Sequence, residues 1–208
     1  CLVKKNGFKI IKSINFDSHN VHSIKFLKNK FNKFLKNKLI NNIALFSCVV
    51  PNYEIKLKNF LNKFYKISLF ELKKNNLNKI VKINIKNKNQ VGSDRIANAI
   101  GVFKNYKTNS IVLDFGTATT FDVITKSGVY NGGIIAPGVN LSINSLVNSA
   151  DQIPNFVIKK QKKIIGKNTI EALRSGFYWG YVGLINNIIL KIEKETYKKY
   201  KIIFTGGY

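Results

Sequence analysis

Strand-length apolar segments and helix-length segments alternate along the chain in an order that occurs twice, and this restricts the fold more than any other feature. In the first half, apolar residues at helical spacing over 21–35 precede an almost wholly apolar run at 43–50, which is typical of a buried strand. In the second half we predict three strands and then two helices, at 111–115, 119–124, 129–135, 140–150 and 168–192. The pattern predicts an α/β protein with a duplicated architecture.

Five further elements complete the prediction. A hairpin with its turn at Asn6-Gly7 is expected over 1–14. The others are a helix, a β segment, a short helix and a last strand, at 53–65, 80–85, 94–103 and 201–205. A polar junction precedes the strand at 111–115, so we predict an N-terminal domain over 1–108 and a C-terminal domain over 109–208.

The strong positive charge is the feature most open to misinterpretation. The 208 residues include 35 lysines and arginines against 10 aspartates and glutamates, which gives a formal net charge of +25. Only Arg95 and Arg174 are arginines, and lysine is mixed with asparagine and isoleucine throughout. Proteins that bind nucleic acids specifically often use arginine for bidentate hydrogen bonds to guanine or phosphate. The composition therefore favours a solvated lysine surface, and no specific nucleic-acid partner is expected.

Several other protein classes are disfavoured by what the sequence lacks. Cys1 and Cys48 are too few for a disulfide framework or a structural zinc site, so a cytoplasmic location is expected. No segment reaches the roughly 20 apolar residues of a membrane-spanning helix, so no membrane association is expected. The glycine patterns of P-loop and Rossmann nucleotide sites do not occur.

The clearest candidate site is the string Asp114-Phe115-Gly116-Thr117-Ala118-Thr119-Thr120. A carboxylate at the end of an apolar strand can hold a cation. Glycine lets the backbone approach a phosphate closely, and turn amides with threonine hydroxyls can donate to its oxygens. An ordinary hairpin with aspartate at its turn is the alternative, which the string alone leaves open.

A second candidate is the string Gly92-Ser93-Asp94-Arg95 at the start of a predicted helix. Helix capping by Ser93 or Asp94 is the simpler interpretation. A carboxylate here could also accept the proton of a substrate hydroxyl that attacks a phosphate. Arg95 could then hold a substrate carboxylate or the transferring charge, because its planar fork suits both.

Three weaker strings follow along the chain. Each is consistent with plain turn or capping geometry when taken alone. They are Gly132-Gly133-Ile134-Ile135-Ala136-Pro137-Gly138, Gly166-Lys167-Asn168-Thr169 and Thr205-Gly206-Gly207.

Taken together and in this order, the strings resemble the type III pantothenate kinase family, and the run Ser47-Cys48-Val49-Val50-Pro51 adds to the likeness. The resemblance spans nearly the whole chain and is strongest over 91–183. It implies two actin-like (ribonuclease H-like) domains, a homodimer, and transfer of the ATP γ-phosphate to the terminal hydroxyl of pantothenate, the first step towards coenzyme A.

The resemblance also implies roles for individual residues. Asp94 would be the general base, and Gly92, Ser93, Asp94 and Arg95 would hold pantothenate. Gly116 and Thr117 would contact ATP, which brings Mg²⁺ with it, and Asp114 would bind a potassium or ammonium ion. Thr169 would reach the pantothenate site of the partner subunit.

The sequence departs from the family pattern in three places. The family opens with a strand carrying Asp-x-Gly-Asn-Thr, which grips the ATP phosphates, and this sequence has no such string. We therefore expect a first domain that lacks its N-terminal strand, and a second that stops before its final helix. Ile85 stands where the family often has an aromatic residue beside pantothenate.

A non-catalytic relative is the alternative function. Some members of the family are described as accessory factors for transcription, and the charge of +25 makes contact with nucleic acid conceivable.

Overall fold

The computed structural model describes residues 1–3, 9–36, 41–47, 51–74, 80–150 and 152–207. Its helices are α1 Ile24–Leu35, α2 Pro51–Tyr65, α3 Ser93–Tyr106, α4 Val139–Ser149 and α5 Thr169–Thr196. Its strands are β1 Leu2–Val3, β2 Ile10–Lys12, β3 Ile43–Phe46, β4 Ser68–Glu71, β5 Lys82–Ile83, β6 Ser110–Phe115, β7 Ala118–Ile124, β8 Val129–Pro137 and β9 Lys201–Gly206. The chain is therefore a mixed α/β protein, as the sequence predicts.

Contacts within the chain divide it into two compact units. The first comprises Cys1–Asn76 with Gly92–Asp94, and the second comprises Leu77–Val91 with Arg95–Tyr208. The domain boundary predicted after residue 108 stays a prediction, and the contacts group most of α3 with the strands that follow it.

The first unit packs two helices beside short strand pairs. β1 pairs antiparallel with β2, and β3 pairs parallel with β4. Ser23 begins α1 as its N-cap, because its hydroxyl oxygen accepts a hydrogen bond from the Phe26 amide at 3.2 Å. The buried core of this unit is made of apolar side chains from α1, α2 and β4 and from the residue just before β4, namely Leu27, Phe60, Leu61, Ile67 and Leu69.

The second unit is built on a five-stranded sheet in the order β5-β8-β7-β6-β9. The neighbours β8, β7 and β6 run antiparallel, whereas β5 lies parallel to β8 and β9 lies parallel to β6. A parallel return such as that from β6 to β9 needs a long crossover, and the segment containing α4 and α5 supplies it.

The two faces of this sheet have different chemistry, because neighbouring residues on a strand point to opposite sides. One face buries apolar residues against α5 in a cluster formed by Ile111, Leu113, Phe121, Val123 and Ile192. The other face carries Asp114 and Asp122, which are hydrogen bonded to side chains of α3. The face that meets α3 is therefore partly polar.

Most predicted elements are present with shifted ends. The hairpin of β6 and β7 turns at Gly116 and Thr117 as predicted, and the helix predicted over 168–192 is α5, which runs four residues further. The helix predicted from residue 21 begins at Ile24, after a 3₁₀ turn at Ser18–His22. β4 is not among the predicted elements. The predicted turn at Asn6-Gly7 and the residues Cys48, Val49 and Val50 lie outside the described residues.

In the described part of the chain, none of the helices combines the length and the apolar character needed to span a membrane.

The apolar face of the sheet generates a stability prediction. Leu113 is fully buried on β6, whereas Leu190 on α5 is 62% exposed. We expect Leu113→Ala to lower the free energy of unfolding by about 2–5 kcal/mol, through lost burial and the cavity left behind. Leu190→Ala makes the same chemical change at the surface and should cost less than about 1 kcal/mol. Chemical denaturation measures both, and equal losses would contradict the assigned burial.

Candidate active site

The turn between β6 and β7 is the centre of the first candidate site. Gly116 and Thr117 form the turn, and both are exposed. The Gly116 amide donates to the Ala118 carbonyl at 3.0 Å, and the Thr117 carbonyl accepts from the Gly138 amide at 3.2 Å. The turn is thus tied by its backbone to the start of α4, while the Thr117 side chain faces outwards.

Two glycines allow other segments to approach this turn closely. A side-chain carbon on Gly138 would lie 2.6 Å from the Gly116 carbonyl oxygen. One on Gly206 would lie 2.6 Å from the Phe115 amide nitrogen, and Gly206 also has a positive φ of 116°. The end of β9 and the N-terminus of α4 therefore both approach the turn at distances that only glycine permits.

Asp114 lies two residues before Gly116 and belongs to the face covered by α3. It is half-buried, and its Oδ2 accepts a hydrogen bond from Asn98 Nδ2 of α3 at 2.8 Å. Thr120 on β7 and Thr205 on β9 stand directly beside it in register. The three side chains therefore form a row of oxygen atoms across neighbouring strands.

One member of this row is unusual. The Thr120 hydroxyl is buried, and within the described residues it has no hydrogen-bond partner. Buried hydroxyls are normally paired, so an unpaired one beside a carboxylate is a group that a bound cation would satisfy. No cluster of three or more histidine, cysteine, aspartate or glutamate residues occurs among the residues that the structure describes. The row of Asp114 with threonine hydroxyls offers hard oxygen ligands to a cation.

The string Gly92-Ser93-Asp94-Arg95 opens α3, which begins at Ser93. Ser93 is 3% exposed, and its hydroxyl donates to Oε1 of Glu71, a buried residue of β4. Asp94 is exposed in the first turn of the helix. The Ser93 hydroxyl is therefore inside the protein, and the carboxylate of Asp94, the next residue, is at its surface.

Arg95 makes an ion pair that the sequence analysis did not predict. Its Nε donates to Oδ1 of Asp122 on β7 at 2.6 Å, and Asp122 is completely buried. The Tyr130 hydroxyl donates to the same oxygen at 2.9 Å. One signal in the sequence could have revealed Asp122, because it is a charged residue within the apolar strand pattern of 119–124. Glu71 has no comparable signal.

Thr169 is the first residue of α5, and its side chain is exposed. It lies more than 50 residues after the β6–β7 turn in the sequence. Asn168 caps the helix, since its Oδ1 accepts from the Glu171 amide at 2.9 Å. The amide of Lys167, the residue before the cap, donates to the Glu171 carboxylate at 2.9 Å, so Glu171 satisfies a further donor at the start of this helix. Thr169 also lines an apolar groove of about 620 Å³ along α5.

Ile85 lies just after β5 and is half-buried. Its Cγ2 is 3.6 Å from the position that a side-chain carbon on Gly132 of β8 would take. The two ends of the string Gly132 to Gly138 therefore lie in different places. Gly132 lies near Ile85, and Gly138 lies at the β6–β7 turn.

Comparisons with known proteins give a consistent result. The family model for type III pantothenate kinases matches residues 2–191. A type III pantothenate kinase from Pelagibacter ubique (strain HTCC1062) is 50% identical over 208 residues, which is 100% of this chain and 82% of that protein. One from Jannaschia sp. (strain CCS1) is 40% identical over 164 residues, which is 79% of this chain and 63% of that protein.

A solved structure supports the same fold. It is that of a conserved Campylobacter jejuni protein whose name assigns it to the Baf family of transcriptional activators. The TM-score is 0.54, and the match covers 85% of this chain and 73% of that one. At 23% identity the likeness concerns the fold alone.

The close backbone approach at the turn can be tested with two glycine substitutions. We expect Gly138→Ala to lower the free energy of unfolding by about 1–3 kcal/mol, because the added methyl group would overlap the turn carbonyls. Gly101 on α3 has open space around it, so Gly101→Ala should raise stability by up to about 1 kcal/mol through helix propensity. Thermal and chemical unfolding compare the two, and a neutral Gly138→Ala would argue against the tight turn.

Proposed function

Because the chain belongs to the type III pantothenate kinase family, we propose that it transfers the γ-phosphate of ATP to the terminal hydroxyl of pantothenate, the first step of coenzyme A biosynthesis. The observation that carries this proposal is the family match over residues 2–191, which includes both Gly92-Ser93-Asp94-Arg95 and the string from Asp114 to Thr120. A cytoplasmic location accompanies the proposal. The alternative of a transcription accessory factor is not favoured by relatives that are named kinases.

The fold proposed for this activity is a pair of actin-like domains, the first without its N-terminal strand. Support comes from the second unit, where three antiparallel strands are followed by a helical crossover to a parallel fourth. Support from the first unit is the parallel pairing of β3 with β4. Ile43 and Leu45 of β3 are exposed, so this strand pair presents an apolar surface.

We assign the ATP phosphates to the β6–β7 turn. Gly116 lets a phosphate approach the backbone, and the exposed Thr117 hydroxyl can donate to a phosphate oxygen. The first amides of α4 lie beside the turn and add donors together with the positive end of a helix dipole. Mg²⁺ would arrive with the nucleotide and spread the negative charge of the phosphates.

A potassium or ammonium ion is assigned to the row formed by Asp114, Thr120 and Thr205. The orphaned Thr120 hydroxyl and the half-buried Asp114 carboxylate fit a weakly hydrated monovalent cation, because both offer oxygen atoms in a partly dry setting. Asn98 orients the carboxylate through its hydrogen bond to Oδ2.

Pantothenate is assigned to the start of α3. Asp94 is exposed there, so its carboxylate can accept the proton of the attacking hydroxyl. The new bond forms between that oxygen and the γ-phosphorus, while the bond from phosphorus to the bridging oxygen of ADP breaks. Ser93 would contribute its backbone amide at the helix N-terminus, because its hydroxyl already donates to Glu71. Catalysis is then mainly positioning and charge stabilisation.

The proposed homodimer uses the apolar groove along α5. The groove is lined by Thr169 and by Gly176 and Gly180, two exposed glycines that would let another helix approach closely. Thr169 lies on this groove, which supports its proposed contact with the pantothenate site of the partner subunit.

The general-base assignment predicts the behaviour of Asp94→Asn. We expect kcat for ATP-dependent pantothenate phosphorylation to fall by about 10²–10⁴-fold, because the amide cannot accept the proton. The melting temperature should stay near wild type, since Asp94 is exposed. Asp17→Asn, another exposed aspartate, is the matched control and should retain activity. Product formation is measured by the mass of phosphopantothenate, and undiminished turnover by Asp94→Asn would exclude it as the base.

The dimer proposal predicts that filling the groove separates the subunits. Gly180→Leu places a large side chain where the protomer itself has open space, so each protomer should still fold. We expect light scattering to show dimers for wild type and monomers for this variant. Asn186→Leu adds a leucine at an exposed position of α5 that does not line the groove, and it should remain dimeric. An unchanged dimer of Gly180→Leu would place the interface elsewhere.

A further inference from the structure

We infer that Asp122, with Tyr130, is a positioning residue that fixes the guanidinium of Arg95 for recognition of the pantothenate carboxylate. The inference rests on the proposed function. It adds two residues to the site, Asp122 on β7 and Tyr130 on β8, which lie in the sheet below α3.

The first observation is the geometry of the pair. Arg95 Nε donates to Asp122 Oδ1 at 2.6 Å, and the Tyr130 hydroxyl donates to that same oxygen at 2.9 Å. The Arg95 guanidinium carbon also lies 5.8 Å from the centre of the Tyr130 ring. Two donors on one oxygen and an aromatic ring beside the cation leave the arginine little freedom of rotation.

The second observation is burial. Asp122 is fully buried, whereas 15% of the Arg95 side chain is exposed. A buried carboxylate is costly unless it is paired and hydrogen bonded, so Asp122 holds Arg95 firmly. Arginine has five N–H donors, and its Nε is the atom bound to Asp122. Because Nε is bound to Asp122 and Nη2 is buried, Nη1 is the guanidinium nitrogen that we propose to meet an anion at the surface.

The third observation is the space made for the guanidinium. Arg95 Nη2 lies 2.6 Å from the position of a side-chain carbon built on Gly133, the residue beside Asp122 on β8. Any side chain at this position would displace the arginine. The sheet therefore accommodates Arg95 with the Asp122 carboxylate, the Tyr130 hydroxyl and the space left by the absent side chain of Gly133.

The chemical consequence concerns orientation more than charge. Asp122 offsets much of the positive charge of Arg95, so the arginine attracts anions weakly at long range. A fixed guanidinium still holds its Nη1 N–H donors in one orientation, so that they can meet a carboxylate placed in line with them. Loss of the anchor should therefore weaken recognition of a substrate carboxylate, with little effect on a substrate that lacks one.

The experiment compares pantothenate with pantothenol, in which a hydroxymethyl group replaces the carboxylate. For wild type, Asp122→Asn and Tyr130→Phe, kcat and KM are measured with both compounds at saturating ATP. We expect Asp122→Asn to lower kcat/KM for pantothenate by about tenfold or more, mainly through KM. Tyr130→Phe should lower it by a smaller factor. For both variants kcat/KM for pantothenol should change by less than about threefold, so that the preference for pantothenate falls.

A purely structural role would give a different result. It would lower turnover of both compounds by the same factor, and such a result, or no change with either compound, would overturn the inference. If Asp122→Asn does not fold, Tyr130→Phe decides, because it removes one hydroxyl and retains the ring. Glu193→Gln is the control, since it removes a carboxylate from an ion pair of the same 2.6 Å length with the exposed Lys199. The ratio of the two substrates should not change in this variant.

Failure of the inference and failure of the proposed function give distinct results. Wild-type protein that phosphorylates neither compound contradicts the proposed function. Pantothenate binding, measured by calorimetry, then still tests the anchor, because Asp122→Asn and Tyr130→Phe should weaken it relative to pantothenol. Active wild type with an unchanged substrate preference in both variants contradicts the inference alone.

Discussion

Two carboxylates on the sheet face that α3 covers are hydrogen bonded to side chains of that helix, and the cost of leaving them unpaired fixes how the helix lies on the strands. Arg95 and Asn98 are three residues apart, so they project from the same side of the helix. Each binds an aspartate, Asp122 on β7 and Asp114 on β6. A rotation or slide of α3 would break both bonds at once and leave two carboxylates poorly paired. A core made only of apolar contacts would tolerate such a shift more easily.

The turn at Gly116 and Thr117 shows how a phosphate site can be built mostly from backbone. The start of α4 and the end of β9 both approach the turn where glycine leaves space. Backbone amides supply donors at fixed positions, and they cannot rotate away as a lysine side chain can. The side chains needed are few, which explains why the informative signal in the sequence is glycine and threonine placed after an apolar strand.

The sequence allowed the prediction of elements whose signal is local. The strands at 111–115 and 119–124 are apolar and separated by a glycine turn, and they form the predicted hairpin. β4 was missed because its four residues, Ser68–Glu71, are too short for a clear alternation.

The same contrast holds for the candidate site. Asp94, Arg95 and Asp114 stand out because acidic residues and arginine are few in this lysine-rich sequence and because these three lie at element ends. The partner of Arg95 lies 27 positions later in the chain, and its identity depends on strand register, which composition and spacing do not determine. Glu71 was missed for the same reason, because its bond to Ser93 joins residues 22 positions apart.

The excess of lysine gives the anchored arginine a particular importance. A net charge of +25 attracts anions to the whole surface, and both proposed substrates are anions. Such attraction increases encounter rates but does little to separate one anion from another, and it weakens as salt is added. Discrimination must therefore come from donors held at fixed positions. Arg95, with much of its charge offset by Asp122 and its plane held beside Tyr130, has lost long-range attraction and gained orientation. On a surface that carries positive charge throughout, a hydrogen-bond donor held in a fixed orientation is rarer than positive charge itself.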